Sequence, residues 1–345
     1  MAKLQSQMKD FHEKIRLRGF ENNQDLREKR DKLLKTLREN INKDENEPKL
    51  SFKNFDQGSY AMHTGIKPLH MADDYDIDVG LIFDLNAEDY KEYMDDPVAL
   101  KKRVKKALDH PKRDVKIRRP CITVQYVKNG DNEYHVDLAI YRDSENGSGH
   151  HDLARGKENS GDDFREWEEN DPKGLIDKIN NRFSLDMKEE RAQMRRCIRY
   201  LKRWRDKQFS SGAPISISLT CAAYHWFSPC LEVVPGKNPV PNDQAALKDL
   251  VSSIRSRKVG SRIAVSLPVH PSSDLLGGMT DPQMETFIRK LEDLETALQN
   301  SIDLSCPHEA AKKLQKQFGD EFEVPPKEKT AEKSAAAFVP TGASA

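Results

Sequence analysis

At 345 residues and 39.5 kDa the chain is long enough for about two compact units. Its 57 basic and 57 acidic side chains cancel, which argues against a protein that grips long nucleic acid by bulk charge, and no run approaches the roughly 20 apolar residues of a membrane helix. Five cysteines without CxxC spacing argue against a disulfide framework or a structural zinc, and an N-terminal segment with no apolar run does not read as a secretory signal, so a cytoplasmic protein is expected.

In chain order, apolar residues from Leu4 to Ile41 recur near helical spacing and predict one long helix over 1–42, with Gly19 as its weak point. Ser51–Phe55 predicts a short strand, followed by a turn at Gln57-Gly58-Ser59-Tyr60. Tyr75–Phe83 alternates polar and apolar residues and predicts a second strand. A basic helix is expected over 97–109, opening on Pro97, its lysines and arginines forming a solvated face. Strands are expected at 115–117, 121–127 and 133–141, with Asn129-Gly130 as a hairpin turn. The polar stretch 143–163, with His150, His151 and Asp152, reads as a loop. From about 172 the pattern turns helical, with helices over 185–209, 215–227, 243–257, 280–300 and 308–318, and a flexible tail from Pro325. Strands followed by helices predict a bilobal α+β protein. Its expected parts are an N-terminal helix (1–45) packing on both lobes, a mixed-sheet core (46–172), a helical lobe (173–324) and a tail (325–345).

Asp76 and Asp78 stand two apart in the predicted second strand, so their side chains share one face while Ile77 and Val79 take the other. Asp137 lies in another strand, between Val136 and Leu138. If the two strands pair in suitable register, three carboxylates converge, and their mutual repulsion is relieved by a hard divalent cation with oxygen ligands. A carboxylate-x-carboxylate triplet arises by chance about ten times in a chain this acidic, so the pair alone carries little. The context adds weight: both acids sit in an apolar strand, and Gly58-Ser59 lies shortly upstream. That turn brings a backbone free of Cβ and a hydroxyl, both suited to phosphate oxygens.

The segments QGSYAMHTGIKP, DYDIDVGLIF and EYHVDLAIY, in that order, resemble the core of the polymerase-β-like nucleotidyltransferases, and in particular the cGAS/DncV-like nucleotidyltransferases of bacterial anti-phage signalling. The Thr64…Pro68 pattern between the first two matches as well, and the likeness extends to about residue 320. The resemblance implies a Mg²⁺-dependent enzyme that makes cyclic oligonucleotides from NTPs, with ATP and also GTP or another NTP as candidate substrates and the choice of base left open. It implies that Asp76, Asp78 and Asp137 hold two Mg²⁺ ions, and that Gln57, Gly58 and Ser59 hold the donor triphosphate. By position it also assigns Lys202 and Ser216 to the phosphates, with Ser218 as the rival of Ser216. In some relatives the C-terminal residue, here Ala345, is joined to targets by a ubiquitin-transfer-like partner. Two other readings stand beside this one: extension of RNA or synthesis of linear oligoadenylate by the same core, and a catalytically silent scaffold.

Overall fold

The computed structural model describes residues 3–17, 21–69, 76–85, 88–128, 131–144, 150–232, 236 and 239–327. Strands β1 (Phe52–Asp56), β2 (Asp76–Phe83), β3 (Arg113–Ile117), β4 (Ile122–Lys128) and β5 (Asp131–Asp143) form a mixed sheet in the order β1-β2-β5-β4-β3. Of these neighbours only β2 and β5 pair in parallel. Strand alternation divides β2 cleanly. Ile77, Val79, Leu81 and Phe83 face the main core of the lobe with Val136, Leu138 and Ile140 of β5. Asp78, Gly80 and Ile82 face the other way, over a small apolar cluster of Ile82, Ala139, Tyr141 and Leu153. The acids therefore stand on the face opposite the main core. Gly80 is required there, because a Cβ would enter the Phe55 ring.

The long N-terminal helix expected over 1–42 is two helices, α1 (Gln5–Ile15) and α2 (Glu21–Asn40), with Arg16 already extended. They serve different cores. Leu4, Met8, Phe11 and Ile15 at α1 join the helical core, whereas Leu33, Leu34 and Leu37 of α2 cover the sheet. One straight helix could not present both stripes to two cores. After β1 comes a single helical turn, α3 (Gly58–Ala61); between β2 and β3 come α4 (Lys91–Asp95) and α5 (Pro97–Leu108). The lysines and arginines of α5 are not uniformly solvated. Lys101 is fully buried, its ammonium donating to the carbonyls of Arg118, Arg119 and Gly156, and Arg103 is buried against Ile41 O and the Tyr93 hydroxyl.

The stretch expected as a loop over 143–163 contains a strand, β6 (His151–Arg155), which joins the end of β5 to β7 (Glu166–Asn170). Its polar residues are buried because they are paired: Asp152 accepts from Arg142, and His151 meets Asp143. The remaining helices are α6 (Pro172–Asn180), α7 (Lys188–Gln208), α8 (Ser216–Trp226), α9 (Asp243–Arg255), α10 (Asp281–Asp303) and α11 (Pro307–Phe318). Gln283 accepts from Thr280 N at the start of α10. At the centre of this lobe Arg196 makes a two-point ion pair with fully buried Asp243, at 2.6 and 2.9 Å, which also accepts from the Tyr200 hydroxyl. Among the described residues no helix is long and apolar enough to cross a membrane. The Asn129-Gly130 turn and the C-terminal Thr341–Ala345 lie outside the described residues.

Candidate active site

The register of β2 with β5 places Asp78 directly beside Asp137, and Asp76 beside His135. Neighbouring strands lie about 4.8 Å apart, and residues in register share a face, so Asp78 and Asp137 form one acidic patch. The backbone of Asp76 opens β2; its side chain lies outside the described part of the molecule. Among the described residues Asp137 Oδ1 is buried without a hydrogen-bond partner, and Oδ2 stands 4.0 Å from His135 Nε2. The paired acids act on their surroundings: the Cys121 thiol is pushed up to about 12, chiefly by burial and then by the charge of Asp137.

The Gly58 turn closes over this patch. Gln57 N donates to Asp78 O at 3.0 Å, which fastens the turn to β2. Gly58 has φ +67°, and a Cβ there would occupy the space of the Asp78 carboxylate. Only glycine meets both demands. Gln57 Oε1 accepts from the Tyr141 hydroxyl at 3.1 Å, and Tyr141 sits four residues after Asp137 on the same face of β5.

A cleft of about 500 Å³ opens between the lobes at this point. Gln57, Gly58, Ser59 and Asp78 line it from the sheet lobe, and Lys202 and Ser216 from the helical lobe. Six of the eight residues singled out in the sequence thus meet in one cavity, and Asp137 adjoins it through Asp78. The structure separates the two serines. Ser216 opens α8 and lines the cleft, whereas Ser218 is buried and donates to Ile215 O at 2.7 Å. Sequence reasoning missed Tyr141, Asn170, Arg205 and Asp206, which also line the cleft. Tyr141 was within reach of the pattern, since it shares the strand face of Asp137; the others carry no local signal.

Lys202 is not part of a solvated helix face. Its side chain is buried, and Nζ donates to Thr64 O at 3.1 Å and Thr64 Oγ1 at 3.2 Å. Burial first, then the charge of Arg199, bring its ammonium down to about 7, against the opposing pull of Asp206 and Asp78.

Among the described residues no group of three or more His, Cys, Asp or Glu is arranged as a metal site. His150 stands beside Glu169 at 3.2 Å and Asp171 at 4.0 Å. At the Asp78–Asp137 patch the two carboxylates fit a hard cation, with Asp137 Oδ1 buried and without a hydrogen-bond partner among the described residues.

Residues 52–141 match the family model for the nucleotidyltransferase domain of cyclic GMP-AMP synthase DncV-like proteins. That span holds the turn and both acid-bearing strands. Solved structures of the Vibrio cholerae protein DncV share the fold. The cyclic AMP-GMP synthase described as a prokaryotic cGAS homolog aligns with TM-score 0.71 and 17% identity, over 93% of this chain and 97% of that one. Its complex with the linear intermediate 5′ pppA(3′,5′)pG aligns with TM-score 0.68 and 18% identity, over 90% and 93%. The complex with GTP and 5MTHFGLU2 aligns with TM-score 0.67 and 17% identity, over 90% and 92%.

Proposed function

We propose that this chain, which carries the nucleotidyltransferase domain of the DncV-like family, is a Mg²⁺-dependent synthase of cyclic di- or trinucleotides from ATP, with GTP or another NTP as second substrate. The observation that carries the reading is the acidic pair Asp78–Asp137, in register on adjacent strands, beneath a glycine turn at the mouth of an interlobe cleft. In each transfer the hydroxyl oxygen of one nucleotide bonds to the α-phosphorus of the other, the bond from that phosphorus to the bridging oxygen breaks, pyrophosphate leaves, and the hydroxyl proton passes to solvent. A last transfer within the linear product, the second for a dinucleotide and the third for a trinucleotide, closes the ring.

The chain's own residues bind and orient. Asp76, Asp78 and Asp137 would hold the two metal ions, whose chemistry when bound is to lower the pKa of the attacking hydroxyl and to offset charge on the α-phosphate and pyrophosphate. Gly58 brings backbone close to the triphosphate without a Cβ in the way, and the Ser59 and Ser216 hydroxyls donate to its oxygens. Gln57, whose side-chain carbonyl accepts from Tyr141, would keep its amide N–H groups as further donors to the triphosphate. Lys202 supplies a point charge from the helical lobe, so triphosphate binding draws on both lobes at once. This is catalysis by positioning and electrostatics.

The neutral balance of 57 and 57 charges favours small nucleotides over long RNA as acceptor. The likeness to the cGAS/DncV-like enzymes supports a role for the product as a second messenger in anti-phage defence, and a cytoplasmic place of work. Conjugation of Ala345 by a ubiquitin-transfer-like partner is proposed on the same likeness. The test is product analysis: labelled ATP alone and with each other NTP, Mg²⁺, then phosphatase and nuclease P1. A phosphatase-resistant product is expected. A phosphatase-sensitive ladder would instead identify a linear or RNA-extending enzyme, and no pyrophosphate release a silent scaffold.

A further inference from the structure

The segment 63–67 joins the Gly58 turn to the rest of the sheet lobe, and its backbone carbonyls are taken by basic side chains of α7. Arg199 donates to His63 O at 2.6 Å and to Gly65 O at 3.1 Å, and Arg203 donates to Lys67 O at 2.9 Å. Lys202 donates to Thr64 O and, alone among these contacts, also to a side chain, the Thr64 hydroxyl. Thr64 is fully buried, and its N–H donates to Ser59 O at 2.9 Å. One residue therefore touches the phosphate turn through its backbone and the cleft lysine through its hydroxyl.

We propose that Thr64 is a positioning residue for donor-nucleotide binding, whose hydroxyl and carbonyl fix two of the three donors of the Lys202 ammonium so that the third points into the cleft. This rests on the reading of Lys202 as a triphosphate ligand. An ammonium on a four-carbon stem has three rotatable donors and no preferred direction of its own. Two acceptors on one rigid residue remove that freedom before the nucleotide arrives, so less entropy is lost on binding. The charged neighbours of Lys202 are Arg199, Arg205 and Asp206 on its own helix and Asp78 across the cleft. Arg205 is itself committed to Pro214 O and Asp206. Both hydrogen bonds of the Lys202 ammonium among the described residues thus end on Thr64.

Three variants test this on the full chain, with KM for ATP and kcat as readouts. Thr64→Val keeps the buried shape and removes the acceptor. It is expected to raise KM for ATP about ten-fold, the loss of one hydrogen bond to a charged group, with kcat within about two-fold. Thr64→Ser keeps the acceptor and removes the methyl, and is expected to restore KM. A packing role predicts the reverse order, with Val active and Ser impaired, and that result overturns the proposal; so does a wild-type KM in both. Should the Val variant fold poorly, Thr64→Ala replaces it: the same rise in KM is expected, and an unchanged KM overturns the proposal. Lys202→Met separates the two layers. If it leaves KM unchanged, the assignment of Lys202 to the triphosphate has failed; if it raises KM while Thr64→Val does not, only the role of Thr64 has.

Discussion

Binding of a triphosphate at Lys202 should be coupled to proton uptake, and the size of the effect follows from the environment of the side chain. Burial and the nearby Arg199 bring the ammonium down to about 7 from its ordinary 10.5. The free protein at pH 8 then carries the charge in about one molecule in ten, and at pH 6 in about nine of ten. A triphosphate beside Nζ favours the charged form and raises its pKa again. The competent, protonated form is therefore the one lost as pH rises through 7. Apparent affinity should fall about ten-fold between pH 6 and pH 8, and binding at pH 8 should take up about 0.9 proton per nucleotide. Calorimetry of a non-hydrolysable ATP analogue with Mg²⁺, in two buffers of different ionisation enthalpy, reads the uptake directly. Lys202→Met should abolish it. Equal heats in the two buffers at pH 8, or undiminished uptake in Lys202→Met, would refute the reasoning.

The same geometry bears on five other substitutions. Asp137→Asn should stop pyrophosphate release yet leave the melting temperature unchanged or higher, because it removes a charge whose Oδ1 is buried without a hydrogen-bond partner among the described residues. Gly58→Ala should lose nucleotide binding, since the new methyl enters the Asp78 carboxylate, and should cost about 1–2 kcal/mol in denaturant unfolding for the φ of +67° alone. Ser216→Ala should raise KM for ATP without changing stability, whereas Ser218→Ala should lower stability by about 1 kcal/mol with KM unchanged, because only the former lines the cleft. Asp243→Ala strands the buried Arg196 guanidinium and should cost about 3–5 kcal/mol, read as a fall in the urea midpoint.

The sheet lobe is legible in the sequence where one face is wet and the other dry. The alternation through Ile77, Val79 and Leu81 has a single physical reading, and it fixes which way Asp78 faces. The Gly58 turn is legible because only glycine suits a left-handed residue pressed against a carboxylate. Strand β6 is not, because its buried polar residues are satisfied by partners on β5: Asp152 by Arg142 and His151 by Asp143, which hides a strand inside a hydrophilic run. Lys101 and Arg103 mislead for a related reason, since the carbonyls of Arg118, Arg119, Gly156 and Ile41 and the Tyr93 hydroxyl that hold them are not neighbours in sequence, and no local pattern reveals them. The break between α1 and α2 follows from the two cores they serve, and that requirement exists only once the lobes have assembled. Thr64 belongs to this group as well: nothing beside it in sequence announces a lysine 138 positions away.

The central claim is that the acids of two adjacent strands share a divalent cation at the mouth of the interlobe cleft. A crystal grown with Mn²⁺ and a non-hydrolysable ATP analogue tests it most directly. Anomalous density between Asp78 and Asp137, with the triphosphate running past Gly58 toward Lys202, is the predicted result. Manganese bound elsewhere, or a nucleotide seated outside this cleft, would contradict it.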